Sequence, residues 1–190
     1  APDVEVRAYV PTTENMPDGR AIKPGDVLTA RNGKTIEVLN TDAEGRLILA
    51  DALSFAVERK PDVIIDLATL TGAVRAALGP RYAGILGTDR NLVAALIAAG
   101  HSCGENLWEL PLIEEYRSDI DSTVADIKNM GNGYAGTITA ALFLREFIGD
   151  VPWAHIDFSS TVVTTKPYAG HPAGASGFGV RTLLRYLCAG

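Results

Sequence analysis

Between positions 62 and 67 the chain reads Asp62-Val63-Ile64-Ile65-Asp66-Leu67, an almost continuous apolar run. A run this short and this rich in β-branched residues predicts a strand buried on both faces, as in parallel sheets covered by helices. A loop over 69–72 follows, then a helical pattern over 73–78, a strand over 82–87 and a helix over 91–99 capped by Gly100. Further on, 112–118 and 137–147 read as helical, 153–158 as a strand, and 179–187 as a final helix. Alternation of this kind predicts an α/β fold, with a mixed, largely parallel sheet flanked by helices in three layers.

The N-terminal third adds an antiparallel part. Val4, Val6, Ala8 and Val10 alternate with Glu5, Arg7 and Tyr9, which predicts a strand ending at Pro11. Apolar runs over 27–30 and 35–39 flank Arg31-Asn32-Gly33-Lys34, and Asn-Gly between two such runs signals a hairpin. A loop over 40–45 then leads into a helix, with Leu49, Ala52, Leu53 and Ala56 at helical spacing.

Hydrophobic residues make up 47% of the 190, enough to bury a core in one domain or two small ones, which excludes a disordered or collagen-like chain. The longest uncharged apolar run, 92–100, is far short of the roughly 20 residues that cross a bilayer. Lys and Arg number 17 against 23 Asp and Glu, a net charge of −6 that argues against a nucleic-acid partner. Cys103 and Cys188 form no CxxC pair, so neither a disulfide framework nor a cysteine zinc site is expected, in keeping with a reducing cytosol. No secretion signal is visible in the opening Ala1-Pro2-Asp3, and without an initiator Met further residues are expected to precede it.

In open α/β sheets, ligands bind beyond the carboxyl ends of the strands, which singles out the loops 40–46, 66–72 and 157–161. The first reads Asn40-Thr41-Asp42-Ala43-Glu44-Gly45-Arg46. If it is extended, Asp42 and Glu44 point to one face about 6–7 Å apart. Paired oxygen ligands there suit two divalent ions, which lie about 3.5–4 Å apart in two-metal hydrolases. Arg46 could hold an anion on the same side. On spacing alone a plainer reading is favoured, in which the carboxylates complement the N-terminus of the next helix and pair with Arg46.

Other motifs carry less. Gly131-Asn132-Gly133-Tyr134-Ala135-Gly136 matches G-x-G-x-x-G, and Asp157 lies where a ribose-binding acid would be sought. The dinucleotide fingerprint needs a preceding strand, however, and the charged segment 126–130 makes a poor one, so a turn opening a helix is expected. His155 reads as a hydrogen-bonded core residue, and His101 as a cation past a helix end. His171 carries no motif. Asp66, at a strand end, could reach a site, but capping of the Thr69 or Leu70 amides is the preferred expectation. H-E-x-x-H, G-x-S-x-G and Walker A patterns do not occur.

With these residues in view, Asn40-Thr41-Asp42-Ala43-Glu44-Gly45-Arg46-Leu47 resembles the signature octapeptide of the cytosolic leucine aminopeptidases, the M17 family. Its surroundings agree: Glu14-Asn15-Met16-Pro17, Pro24-Gly25-Asp26-Val27 and Gly33-Lys34-Thr35-Ile36-Glu37-Val38. So do Asp66-Leu67-Ala68-Thr69-Leu70-Thr71-Gly72-Ala73, Ala135-Gly136-Thr137-Ile138-Thr139-Ala140-Ala141 and Trp153-Ala154-His155-Ile156-Asp157. The resemblance covers nearly the whole chain. It implies an exopeptidase that removes leucine-like N-terminal residues with two divalent ions, Zn or Mn, with Mg or Co also possible. Asp42 and Glu44 would be metal ligands, with Glu44 bridging both ions. Arg46 would be catalytic, binding the bicarbonate that serves as general base, and Thr69, Leu70 and Gly72 would meet the peptide substrate. A cytoplasmic homohexamer, with no nucleic acid or membrane partner, is also implied.

The resemblance also has a gap. The family draws further ligands, a metal-binding Lys and two Asp, and a second, catalytic Lys, from an F-D-S-G-G segment followed by Lys and from a D-M-x-G-A stretch. Neither occurs in the 190 residues, nor does the family's N-terminal domain. The chain is therefore expected to be the C-terminal part of a catalytic domain, inactive by itself. Two other readings stand beside this one: a non-catalytic interaction module of the same fold, against which the intact Asp42, Glu44 and Arg46 argue, and a nucleotide-binding α/β protein.

Overall fold

The computed structural model describes residues 3–167 and 173–189. In chain order the elements are β1 (Val27–Thr29), β2 (Thr35–Glu37), α1 (Glu44–Val57), β3 (Ile64–Ala68), α2 (Gly72–Leu78), β4 (Ala83–Gly87) and α3 (Arg90–Cys103). Then come β5 (Leu107–Glu109), β6 (Ile127–Lys128), α4 (Gly136–Arg145), β7 (Trp153–Asp157), β8 (Val163–Thr164), β9 (Gly174–Ala175) and α5 (Val180–Leu187). They fall into two compact units, one of Ala1–Arg7, Ile65–Leu112 and Pro152–Gly190, the other of Ala8–Ile64 and Ile113–Val151.

The first unit is built on a four-stranded sheet in the order β3-β7-β4-β5. β4 runs parallel to β5, with Gly84 opposite Trp108, and antiparallel to β7, with Ile85 opposite Ile156. The fold is thus mixed α/β, as the alternation of elements predicts. Ala83, Ile85, Ala154 and Ile156 from the sheet pack with Leu92, Val93 and Leu96 of α3 in one buried cluster. The 62–67 run forms β3, but at the end of the strand order, where Ile65 and Leu67 are only half-buried. α3 runs past Gly100 to a left-handed Gly104 (φ 78°), whose amide closes the helix on Gly100 and His101 carbonyls. Gly100 serves close packing instead, since a Cβ there would stand 2.3 Å from the Glu105 carbonyl oxygen. Glu105, fully buried, accepts from the amides of Gly179 (3.1 Å) and Thr182 (2.8 Å) and so places negative charge at the N-terminus of α5.

In the second unit, β1 and β2 form the expected hairpin, with Leu28 opposite Ile36. β6 adds to it in parallel, Ile36 opposite Ile127. The 126–130 segment therefore holds a two-residue strand, Ile127–Lys128, contrary to the expectation from its charges. Its charges lie at the rim: exposed Asp126 accepts from the amide and hydroxyl of Thr35, both at 2.7 Å, while Ile127 is fully buried. α4 is buried on nearly every side from Thr137 to Leu144 and packs against α1 and a 3₁₀ helix over Glu114–Ile120, where the sequence suggests a helix over 112–118. Glu146 pairs with Lys34 and Arg117. Burial alone would push its carboxyl group up, but hydrogen bonds from those two cations hold it below the ordinary range.

The expected strand over 4–10 does not form. Val4, Val6 and Val10 are 55%, 59% and 82% exposed, and no strand among the described residues pairs with them. Alternation makes a strand only where a neighbouring edge takes up its backbone groups.

Candidate functional site

The carboxylate loop lies in the second unit and is helical rather than extended. Asn40 is extended (φ −137°, ψ 117°), and its side chain accepts from the Asp42 amide at 2.9 Å. That cap starts a 3₁₀ turn over Thr41–Ala43, and Glu44 opens α1 directly afterwards. The same-face geometry expected of an extended segment is thereby lost, because residues two apart on a helix diverge by roughly 200°. The bland alternative is only partly met. Glu44 does sit in the first turn of α1, where the helix dipole favours it, yet neither carboxylate makes a capping bond or ion pair among the described residues. Asp42 is exposed and Glu44 half-buried, so both remain open to a ligand.

Asn129, at the end of β6, holds this loop in place, a role the sequence does not announce. It is fully buried. Its Oδ1 accepts from the amides of Leu39 (2.8 Å) and Asn40 (3.3 Å), and its Nδ2 donates to the carbonyls of Asn40 (2.7 Å) and Ala43 (3.5 Å). Replacing Asn129 with Ala strands these backbone groups, and the change is expected to destabilise the second unit by about 3 kcal/mol. The midpoint of denaturant unfolding checks this; an unchanged midpoint would show that the loop holds itself.

Arg46 lies two residues into α1, only 6% exposed, with its guanidinium carbon 5.9 Å from the Phe143 ring centroid. A guanidinium this buried, four residues after Asp42 and two after Glu44, suits an anion.

The expected substrate loop lies in the first unit. Thr69 and Gly72 are exposed and Leu70 half-buried, while Thr71 between them is buried. Thr71 caps α2 by accepting from the Val74 amide at 3.2 Å. It also donates to Asp157 Oδ2 at 2.6 Å, and its amide bonds Ser159 Oγ at 3.2 Å. Asp157 Oδ1 takes the Leu70 amide at 3.1 Å. The 66–72 and 157–161 loops, expected beyond strand ends, are thus joined through Asp157. Asp66, expected to cap Thr69 or Leu70, turns instead to Trp153 Nε1 and His155 Nδ1, each at 2.6 Å. His155 is fully buried, the core residue its apolar strand suggests.

Of the remaining motifs, His101 falls in the last turn of α3, and His171 lies outside the described residues. The 131–136 glycine motif follows β6 and leads into α4. Yet β6 lies in the three-stranded sheet while the next strand, β7, belongs to the four-stranded one, so no βαβ unit surrounds the motif. Among the described residues no three His, Cys, Asp or Glu side chains gather as a metal site.

The scaffold is mixed α/β, with the two open carboxylates and the buried Arg46 in the second unit and the clamped 69–72 loop in the first. A model described as the cytosol aminopeptidase family, catalytic domain, matches residues 1–184. A "Probable cytosol aminopeptidase" from Geobacter sp. (strain M21) is 54% identical over 184 residues, 97% of this chain and 38% of that protein. One from Prochlorococcus marinus (strain MIT 9211) is 54% identical over 96% of this chain and 37% of its own length. A solved mutant of tomato leucine aminopeptidase superposes with a TM-score of 0.88 at 45% identity, over 93% of this chain and 34% of that one. The chain belongs to the cytosol aminopeptidase family and spans little more than a third of these relatives.

Proposed function

We propose that this chain supplies part of the active site of a divalent-metal aminopeptidase acting on leucine-like N-termini of peptides. The observation that carries the reading is the two carboxylates Asp42, in the capped turn before α1, and Glu44, its first residue, which make no ion pair among the described residues. Their donor chemistry fits Zn, Mn, Mg or Co ions, for which carboxylate oxygens discriminate modestly. Their number does not complete a site, and a third ligand is absent among the described residues. Bound divalent ions would polarise the scissile carbonyl and acidify the attacking water.

The chain's own residues have separable tasks in this reading. Asp42 and Glu44 would hold the ions, and Asn40 and Asn129 keep their backbone in register. Arg46 would bind bicarbonate, whose base function needs an anion held in a water-poor place; its burial supports this. Thr69 and Gly72, turned outward, and Leu70 between them would meet the peptide. Cytoplasmic location and a homohexamer form part of the same proposal. The relatives are named cytosol aminopeptidases, and among the described residues no helix is long and apolar enough to cross a membrane.

Manganese titration of the 190-residue chain, followed by electron paramagnetic resonance, tests the ligand assignment. Weak, saturable binding at about millimolar strength is expected for so few carboxylates. The paired change Asp42→Asn with Glu44→Gln should abolish it. Binding that survives the paired change would place the metal elsewhere.

A further inference from the structure

Asp157 is a buried carboxylate that the proposed chemistry does not use. It ends β7, is 0% exposed, and faces the loop over 69–72. Both of its oxygens are engaged there. Oδ1 accepts from the Leu70 amide (3.1 Å) and from the amide (3.3 Å) and hydroxyl (2.8 Å) of Ser159, and Oδ2 accepts from the Thr71 hydroxyl at 2.6 Å. The Ser159 hydroxyl in turn accepts from the Thr71 amide at 3.2 Å. The loop is thereby sorted residue by residue: Thr71 is drawn inward, while Thr69 and Gly72 on either side of it are left exposed.

A carboxylate is costly to bury unless its oxygens are hydrogen-bonded, and Asp157 meets that cost by bonding the loop. Charge-assisted bonds are roughly twice as strong as neutral ones, so a carboxylate here holds the Leu70 amide and the Thr71 hydroxyl more firmly than an amide side chain would. A loop so fixed does not spend ordering entropy when a ligand arrives, which raises affinity without any new contact.

On the reading that residues 69–72 meet the substrate, we infer that Asp157, assisted by Ser159, is a positioning residue that pre-orders this loop for the leucine-like end of the peptide. It acts through Leu70 and Thr71 and need not touch the ligand. Loosening it lowers recognition of the leucyl group while the sheet that carries it stays folded.

The test is a titration of the ¹⁵N-labelled 190-residue chain with L-leucinol, which carries the leucine side chain and a free amine. In the unaltered chain the amide resonances of residues 69–72 shift on addition of leucinol. Asp157→Ala is expected to weaken that binding about tenfold, with resonances of β4 and α3 unmoved. Asp157→Asn should recover much of the loss, since its carbonyl still accepts from Leu70 and its amide can donate to the Thr71 hydroxyl. Should Asp157→Ala fail to fold, Ser159→Ala and Asp157→Asn carry the comparison, each expected to weaken binding by a smaller factor. Unchanged leucinol affinity in folded variants would overturn the positioning role. Absence of any leucinol-dependent shift at 69–72 in the unaltered chain would instead overturn the assignment of this loop to substrate.

Discussion

Purified by itself, the 190-residue chain is expected to hydrolyse leucyl anilides no faster than buffer containing the same metal. The reason is the ligand count. Metallohydrolases owe accelerations of at least about 10⁶-fold to ions held in fixed geometry beside the reacting groups. Asp42 and Glu44 are the only members of the proposed ligand set here, and the described residues offer no cluster of three. An ion held by two carboxylates at a helix N-terminus exchanges freely and keeps most of its water, so it polarises a carbonyl weakly. A continuous spectrophotometric assay with added Mn²⁺ or Zn²⁺ checks this. Hydrolysis that persists after removal of contaminating peptidases, and disappears with Glu44→Gln, would show that the chain completes a site by itself.

Much of the scaffold is legible in the sequence because it rests on periodicity. The core strands β3, β4 and β7 follow from apolar runs, and α1 to α5 follow from helical spacing or from the turn residues that precede them. The Asn32-Gly33 hairpin is legible for a local reason, the positive φ of 89° that Gly33 supplies. What escapes depends on distance along the chain or on brevity. β6 is two residues long, too short for any period, and its strand character comes from pairing with β2. The stretch over 4–10 has the period and lacks the pairing.

The site divides along the same line. Asp42, Glu44 and Arg46 are visible as a motif, but the helical form of their loop is a matter of Asn40, whose capping of Asp42 was within reach of the sequence: Asn before an acidic first turn is a helix-start signal. Asn129 and Asp157 were out of reach as loop holders. Their partners lie 90 and 87 positions away for Leu39 and Leu70, and a single sequence carries no mark of those pairings. A buried polar residue at a strand end could be suspected; the loop it serves could not be named.

Asp42 and Glu44 are proposed as metal ligands of an aminopeptidase site that the residues of this chain fill only in part. The most direct measurement grafts this chain into the Geobacter relative in place of the 184-residue stretch it matches, and follows leucyl-anilide hydrolysis with and without divalent metal. The graft should be active and metal-dependent. Asp42→Asn and Glu44→Gln should each then lower kcat/KM by about 10³-fold, equivalent to about 4 kcal/mol of transition-state stabilisation, without changing the folded far-ultraviolet spectrum. A graft that keeps full activity after both changes would contradict the assignment outright.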